Sequence, residues 1–504
     1  MAIRRHAGIR GHLALMIAGI GALCGLPDAT AFAACDALEL ADFDEFGRAL
    51  GNAGDLDGDG IAELVVGATG DADGGDDAGA VWLFFFDNAL SIRKVQKISN
   101  LCGQLSGADN PGGLLDPGDF FGFSVAGIGD FDGDGTPDLG VGAITDDDGG
   151  EIGPGGEAAT GAVWILLMNP DGTVREPRKI SDTEGGLSGP DNPGGLLENG
   201  GIFGSHVTSL GDLDQDGVTD LAIGAHRADA PDPVSGFNAG RIWVLLMNAD
   251  ATVRETQPIS RTEGGVPEGV LDPGDRLGHN IAPVGDMDGD GVVDFFTGTH
   301  RDDDNGEDRG AVHLFYLNRD GTVKAGRKIS DAAGRFSCSP SPCRREQPGN
   351  PGGVLRDGDL FGRSVTNIGD IDGDGIVDIA VGAPRDDDGG AGPQERGAVY
   401  VLSLIKPNGL VKYRRKISET RGGLTGPGNP GGVLDLGDLF GRSLISADFD
   451  GDGRRELVVS ASRDDDGGQD RGAFYVLKLT GTGAVFAGLK VSSSGVRPLP
   501  GGAP

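Results

Sequence analysis

The chain has 504 residues, with 94 Gly, 27 Pro and 38% apolar residues that fall in short regular bursts, which excludes a disordered or low-complexity chain. Its formal charge of −36 excludes a nucleic-acid or anionic-membrane partner and favours cations.

Residues 1–33 read as a secretion signal: Arg4, Arg5 and Arg10, the apolar run LALMIAGIGALCGL (13–26), and AFA (31–33) before Ala34. The mature chain is then 34–504, a single domain that carries about 38 negative charges once the three Arg and Asp28 are removed. No later apolar stretch reaches the roughly 18–20 residues of a membrane span, so a secreted or extracytoplasmic protein without membrane insertion is expected. Loss of the signal also removes Cys24 and leaves Cys35, Cys102, Cys338 and Cys343. An even count in an oxidising compartment predicts a local bridge in CSPSPC (338–343) and a second between Cys35 and Cys102. The alternative reads FAAC (32–35) as a lipoprotein site with lipid on Cys35, which strands Cys102.

From residue 54 onward one pattern recurs: GDLDGDGIAELVVGA (54–68), GDFDGDGTPDLGVGA (129–143), GDLDQDGVTDLAIGA (211–225), GDMDGDGVVDFFTGT (285–299), GDIDGDGIVDIAVGA (369–383) and ADFDGDGRRELVVSA (447–461). The first acids are spaced by 75, 82, 74, 84 and 78 residues, so the repeat fills the mature chain. Units are expected near 43–99, 118–181, 200–260, 274–330, 358–418 and 437–492. Each holds four short apolar segments bounded by Gly, Asp or Pro; in the fifth they are RSVTNIG (363–369), DIAVGA (378–383), GAVYVLSL (397–404) and LVKYRRKIS (410–418). Four strands per unit predict an all-β propeller of four-stranded antiparallel blades, six in number. Segments such as NPGGLLDPGDFFG (110–122) would join each outer strand to the next inner one. The third strands carry Trp82, Trp164, Trp243, His313, Tyr400 and Tyr475 at one position, which reads as packing between blades.

These units resemble the FG-GAP repeat of integrin α subunits and of secreted bacterial proteins, over roughly residues 43–492. Phe361 and Gly362, then Gly382, Ala383 and Pro384, spell the name literally. Integrin propellers have seven blades, so a seventh split between residues 35–45 and the C-terminal tail is the alternative. The resemblance implies an adhesion or recognition module for an extracellular protein or glycan.

In D-x-D-x-D-G-x-x-[D/E], carboxylates at positions 1, 3, 5 and 9 and a carbonyl at position 7 can surround a hard cation, with calcium the natural occupant. The expected ligands are Asp55, Asp57, Asp59, Ile61 and Glu63 in the first unit and Asp130, Asp132, Asp134, Thr136 and Asp138 in the second. The third has Asp212, Asp214, Asp216, Val218 and Asp220, and the fourth Asp286, Asp288, Asp290, Val292 and Asp294. The fifth has Asp370, Asp372, Asp374, Ile376 and Asp378, and the sixth Asp448, Asp450, Asp452, Arg454 and Glu456. About six ions are expected. Further acidic runs such as DDDGG (386–390) read as solvated loops paired with the adjacent Arg301, Arg385 and Arg463.

Catalysis would need more than the repeat supplies, and no catalytic residues are assigned. His206 with His226, and His279 with His300, fall where each pair can face across its blade, so an extracellular hydrolase with a site there is the alternative. A structural envelope or matrix component is a third reading. Arg48, Arg363 and Arg442 follow the Phe–Gly element in contiguous units and are candidate ligand-binding residues for a carboxylate or sulfate.

Overall fold

A computed structural model describes residues 35–105, 114–147, 159–187, 196–229, 238–304, 306–338, 354–387, 395–424 and 433–499. Each unit folds into one antiparallel sheet whose strands pair in chain order from the inside outward; in blade one these are Phe46–Gly54, Glu63–Ala68, Ala80–Phe86 and Ile92–Ile98. The other inner strands are Phe121–Gly129, His206–Gly211, Ile281–Gly285, Ser364–Gly369 and Leu444–Ala447. Each touches the inner strand of its neighbour, and that of blade six touches that of blade one, so the six blades close a ring. A channel of about 200 Å³ runs between them, lined by residues of all six inner strands.

The second and third strands, ELVVGA and AVWLFFF in blade one, are buried throughout, because both of their faces pack on neighbouring blades. Outer strands mix exposed and buried positions, as in blade two, where Val174 and Ile180 are buried at either end of a polar stretch. One apolar cluster fills each gap between blades. At the seam between six and one, Phe46 lies between Phe84 and Phe474, with ring centroids 5.9 and 5.8 Å away. The third-strand residues Trp82, Trp164, Trp243, His313, Tyr400 and Tyr475 are all at most 5% exposed, as packing requires.

Two glycines per junction set the blade spacing. The Gly after each Phe, such as Gly362 at φ 86°, lies in the left-handed region. The Gly of each second strand packs against its carbonyl across the gap: a Cβ at Gly298 would stand 1.7 Å from the Gly362 oxygen. Gly67, Gly142, Gly224 and Gly382 meet Gly122, Gly204, Gly278 and Gly441 in the same way. At the closing seam Ser460 replaces the second-strand Gly, and its Oγ accepts from Ser443 N at 2.9 Å. Closure uses the same backbone bond as the other junctions: Phe46 N donates to Arg471 O at 3.2 Å, as Phe121 N does to Ala78 O at 3.0 Å.

The seventh-blade alternative is corrected. Gly495–Pro498 pairs with the outer strand Val485–Ser492, giving blade six a fifth strand, and the Cys35 carbonyl instead accepts from Lys97 N at 2.9 Å on the outer strand of blade one. Cys35 is bonded to Cys102, the pairing expected in an oxidising compartment. Cys343, and so the bridge to Cys338, lies outside the described residues, as does the signal at 1–33. Among the described residues no helix is long and apolar enough to cross a membrane.

Candidate metal loops and axial cavity

The six acidic loops join inner to second strands and share one internal framework. Asp55 Oδ1 accepts from Gly58 N at 2.8 Å and Oδ2 from Gly60 N at 2.9 Å, and Asp130, Asp286 and Asp370 repeat both bonds. The acid at position 9 is buried at the start of the second strand. It accepts from the backbone N–H at position 2, as Asp138 does from Phe131 N at 2.9 Å. In blades two to five its second oxygen accepts from the third strand, as Asp220 does from Met247 N at 3.0 Å. Burial, reinforced by the loop carboxylates, pushes Asp138, Asp220, Asp294 and Asp378 up to about 6, Glu456 to about 7 and Glu63 to about 8.

Asp55, Asp57, Asp59 and Glu63 bring one oxygen each within 4.8 Å of one another. The second loop gathers Asp130, Asp132 and Asp138; the third, fourth and fifth gather the acids at positions 1, 3 and 5. Position 9 therefore joins the cluster only in loops one and two of these five. Glu63 Oε1 is buried with no hydrogen-bond partner among the described residues. An all-oxygen set with such an orphaned carboxylate oxygen fits a hard divalent cation.

One basic side chain spans positions 3 and 5 of every loop, which sequence reasoning missed. Arg93 lies 3.0 Å from Asp57 and 2.6 Å from Asp59, and Arg175 and Arg254 pair likewise with Asp132 and Asp134, and with Asp214 and Asp216. Lys324 and Lys412 serve the fourth and fifth loops, and Lys478 holds Asp450 and Asp452. The signal was present: the first five recur near the start of each fourth strand, 34–43 residues after the loop acids they meet.

The other acidic runs also differ from expectation. Their partners are lysines of the fourth strand. Lys97 stands 2.6 Å from both Asp71 and Asp73, Lys179 2.7 Å from Asp146, Lys416 2.6 Å from Asp386 and Lys490 2.5 Å from Asp464, with Lys328 on Asp302. Each lysine is the cross-strand neighbour of the large third-strand residue, and Lys97 sits 5.2 Å from the Trp82 ring. Arg301 and Arg385 reach instead Asp308 at 3.8 Å and Glu395 at 3.6 Å.

Inner strands run from the Phe–Gly end toward the metal loops, so the residues after Phe–Gly surround the opposite mouth of the channel. Arg48, Arg363 and Arg442 all line a small cavity there, in two environments. Arg48 and Arg442 share Glu45, at 3.1 and 3.5 Å. Arg363 donates to His279 Nε2 instead, while His279 Nδ1 donates to the Arg363 carbonyl at 3.1 Å. Of the two expected pairs only one forms: His279 and His300 meet edge-on within blade four at 4.8 Å between centroids, and His226 of blade three lies against His279, tilted, at 4.4 Å, whereas His206 bonds the Ile281 carbonyl at 2.9 Å instead of pairing with His226. Burial holds all four below the usual imidazole range, His206 at about 4, and Arg363 depresses the other three further.

Four segments, residues 46–84, 203–245, 361–402 and 440–477, match the FG-GAP repeat. The chain carries FG-GAP repeats. Integrin alpha-PS2 of Drosophila melanogaster is 28% identical over 188 residues, 37% of this chain and 12% of the relative. Integrin alpha-PS5 of the same fly is 30% identical over 204 residues, 40% and 17%, and Xenopus laevis integrin alpha-4 29% over 185 residues, 36% and 14%. The matched region is thus less than a fifth of each relative. In the FG-GAP units described above, the two glycines of the name are the pair that meet across blades.

Proposed function

We propose that the protein is a secreted recognition or adhesion module whose FG-GAP propeller is braced by calcium in its six loops and binds an extracellular protein or glycan. One observation carries this reading: every repeated residue serves the ring or its loops, while the copies diverge where they meet around the axial mouth. There the residue before Phe–Gly or its equivalent is Glu45, Phe120, Ile202, Arg276, Leu360 or Leu439, each at positive φ, so a common backbone presents five kinds of side chain around six blades. Kinship with integrin alpha chains supports recognition, and the Cys35–Cys102 bridge supports an oxidising compartment.

Calcium would be held by Asp55, Asp57, Asp59 and Glu63 and their counterparts, with Arg93 and its equivalents turning outward. Each site at 100 times its dissociation constant adds about 2.7 kcal/mol to stability. The test runs melting and binding together, on arrays of extracellular proteins and glycans, in calcium and in EGTA. Expected are stoichiometric calcium by elemental analysis, a large fall in melting temperature in EGTA, and array binding that fades with it. An unchanged melt with no bound calcium overturns the metal reading, and turnover of a hydrolase substrate panel without array binding overturns recognition.

A further inference from the structure

A second cavity of about 500 Å³ opens at the same axial mouth, within the size range of small-ligand pockets. One wall is cationic, from Arg227, Arg276 and Arg363 of blades three, four and five, beside His226. The other is apolar, from Phe120, Phe123 and Ile144 of blade two, with Phe43, 49% exposed, nearby. Among the described residues none of the three arginines has an ion-pair partner; of the two acids lining the cavity, Glu45 is held by Arg48 and Arg442, and Asp77 stands on the blade-one side. Burial first, then mutual repulsion, pushes Arg363 down to about 9 and Arg276 to about 10. Three guanidinium groups without an ion-pair partner, on a chain of net charge −36, mark a place for an anion.

The geometry points to a site for the carboxylate of an acidic side chain on a protein partner, taken by Arg227, Arg276 and Arg363, with an apolar neighbour of that residue packing on Phe120, Phe123 and Ile144. This rests on the recognition reading above and names its partner. A metal at the histidines is disfavoured, because both His279 nitrogens are engaged with Arg363 and the surrounding charge is positive. A sulfated glycan fits less well: the wall of Phe120, Phe123 and Ile144 offers a polyanion no cation, whereas a single carboxylate beside an apolar residue meets both walls. Planar guanidinium groups also bind carboxylates in bidentate fashion.

The experiment pans a phage library of random dodecapeptides on the calcium-loaded protein, then measures winning peptides by fluorescence anisotropy against wild type and an Arg227→Gln/Arg276→Gln variant. Expected are sequences with Asp or Glu beside an aromatic or aliphatic residue, at least tenfold weaker binding when that acid becomes Gln or Asn, and a similar loss in the double variant at an unchanged melting temperature. If the double variant melts lower, the exposed Arg227→Gln change alone is read. No enrichment, enrichment of peptides the variant still binds, or displacement by a heparin fragment at lower concentration than free peptide overturns the site. An array ligand whose binding survives the arginine changes overturns this inference and leaves the recognition reading standing.

Discussion

Asp275 shows how much one buried acid can tie stability to pH. It stands two residues before the Phe–Gly position, as do Asp44, Asp119, Asp359 and Asp438, and its Oδ2 accepts from Asp272 N at 2.7 Å. Burial, then the Asp302 charge, pushes it up to about 7 from 3.8. With the folded pKa raised, the folded state holds a proton that the unfolded chain releases. The stabilisation is full below about pH 4 and is lost as pH rises through about 7. Asp275→Asn keeps the acceptor and removes the charge. In urea titrations with EGTA the variant should match wild type near pH 4 and exceed it at pH 8 by about 2–4 kcal/mol. Equal stability of the two at both pH values would show that this acid is not protonated in the fold.

Between elements, the contact that matters most is glycine on glycine. Gly298→Ala places a methyl group against a backbone carbonyl that neither blade can move, and should cost about 3 kcal/mol or more in chemical denaturation. Ser460→Gly at the seam loses only the bond from Ser443 N, about 1 kcal/mol. Similar costs for both would refute close blade approach as the reason for the motif. The loops, the four strands and the buried third-strand residue were legible in sequence because each recurs at a fixed offset within its unit. The pairing of Trp82 with Lys97, of Lys97 with Asp71, and of Arg93 with Asp57 was not, since each joins residues that only strand register brings together. The mouth was half legible. Arg48, Arg363 and Arg442 share an offset, as Arg227 does with Arg301, Arg385 and Arg463, but Arg276 stands where other blades carry Glu, Phe, Ile or Leu, and only ring closure shows that Arg227, Arg276 and Arg363 face one cavity.

For the whole molecule, the Cys35–Cys102 bridge encloses blade one, one side of the closing seam, in a loop of sequence separation 67. Loop-closure entropy for that length is worth about 4 kcal/mol, an upper figure because the ring already restrains both ends. A Cys35→Ser/Cys102→Ser variant should melt well below wild type, and wild type treated with reductant should fall to the same temperature. No difference would mean that the seam is held by side-chain packing alone.

Among the described residues every blade is complete within its own repeat, and no strand is borrowed across the seam. A ring of this kind can lengthen or shorten by duplication or loss of one whole unit while every remaining sheet keeps its own hydrogen-bonded partners. Blade number is then set by the count of whole units and not by any single sheet, and Ser460, in place of the usual Gly, marks the one junction where the last unit meets the first.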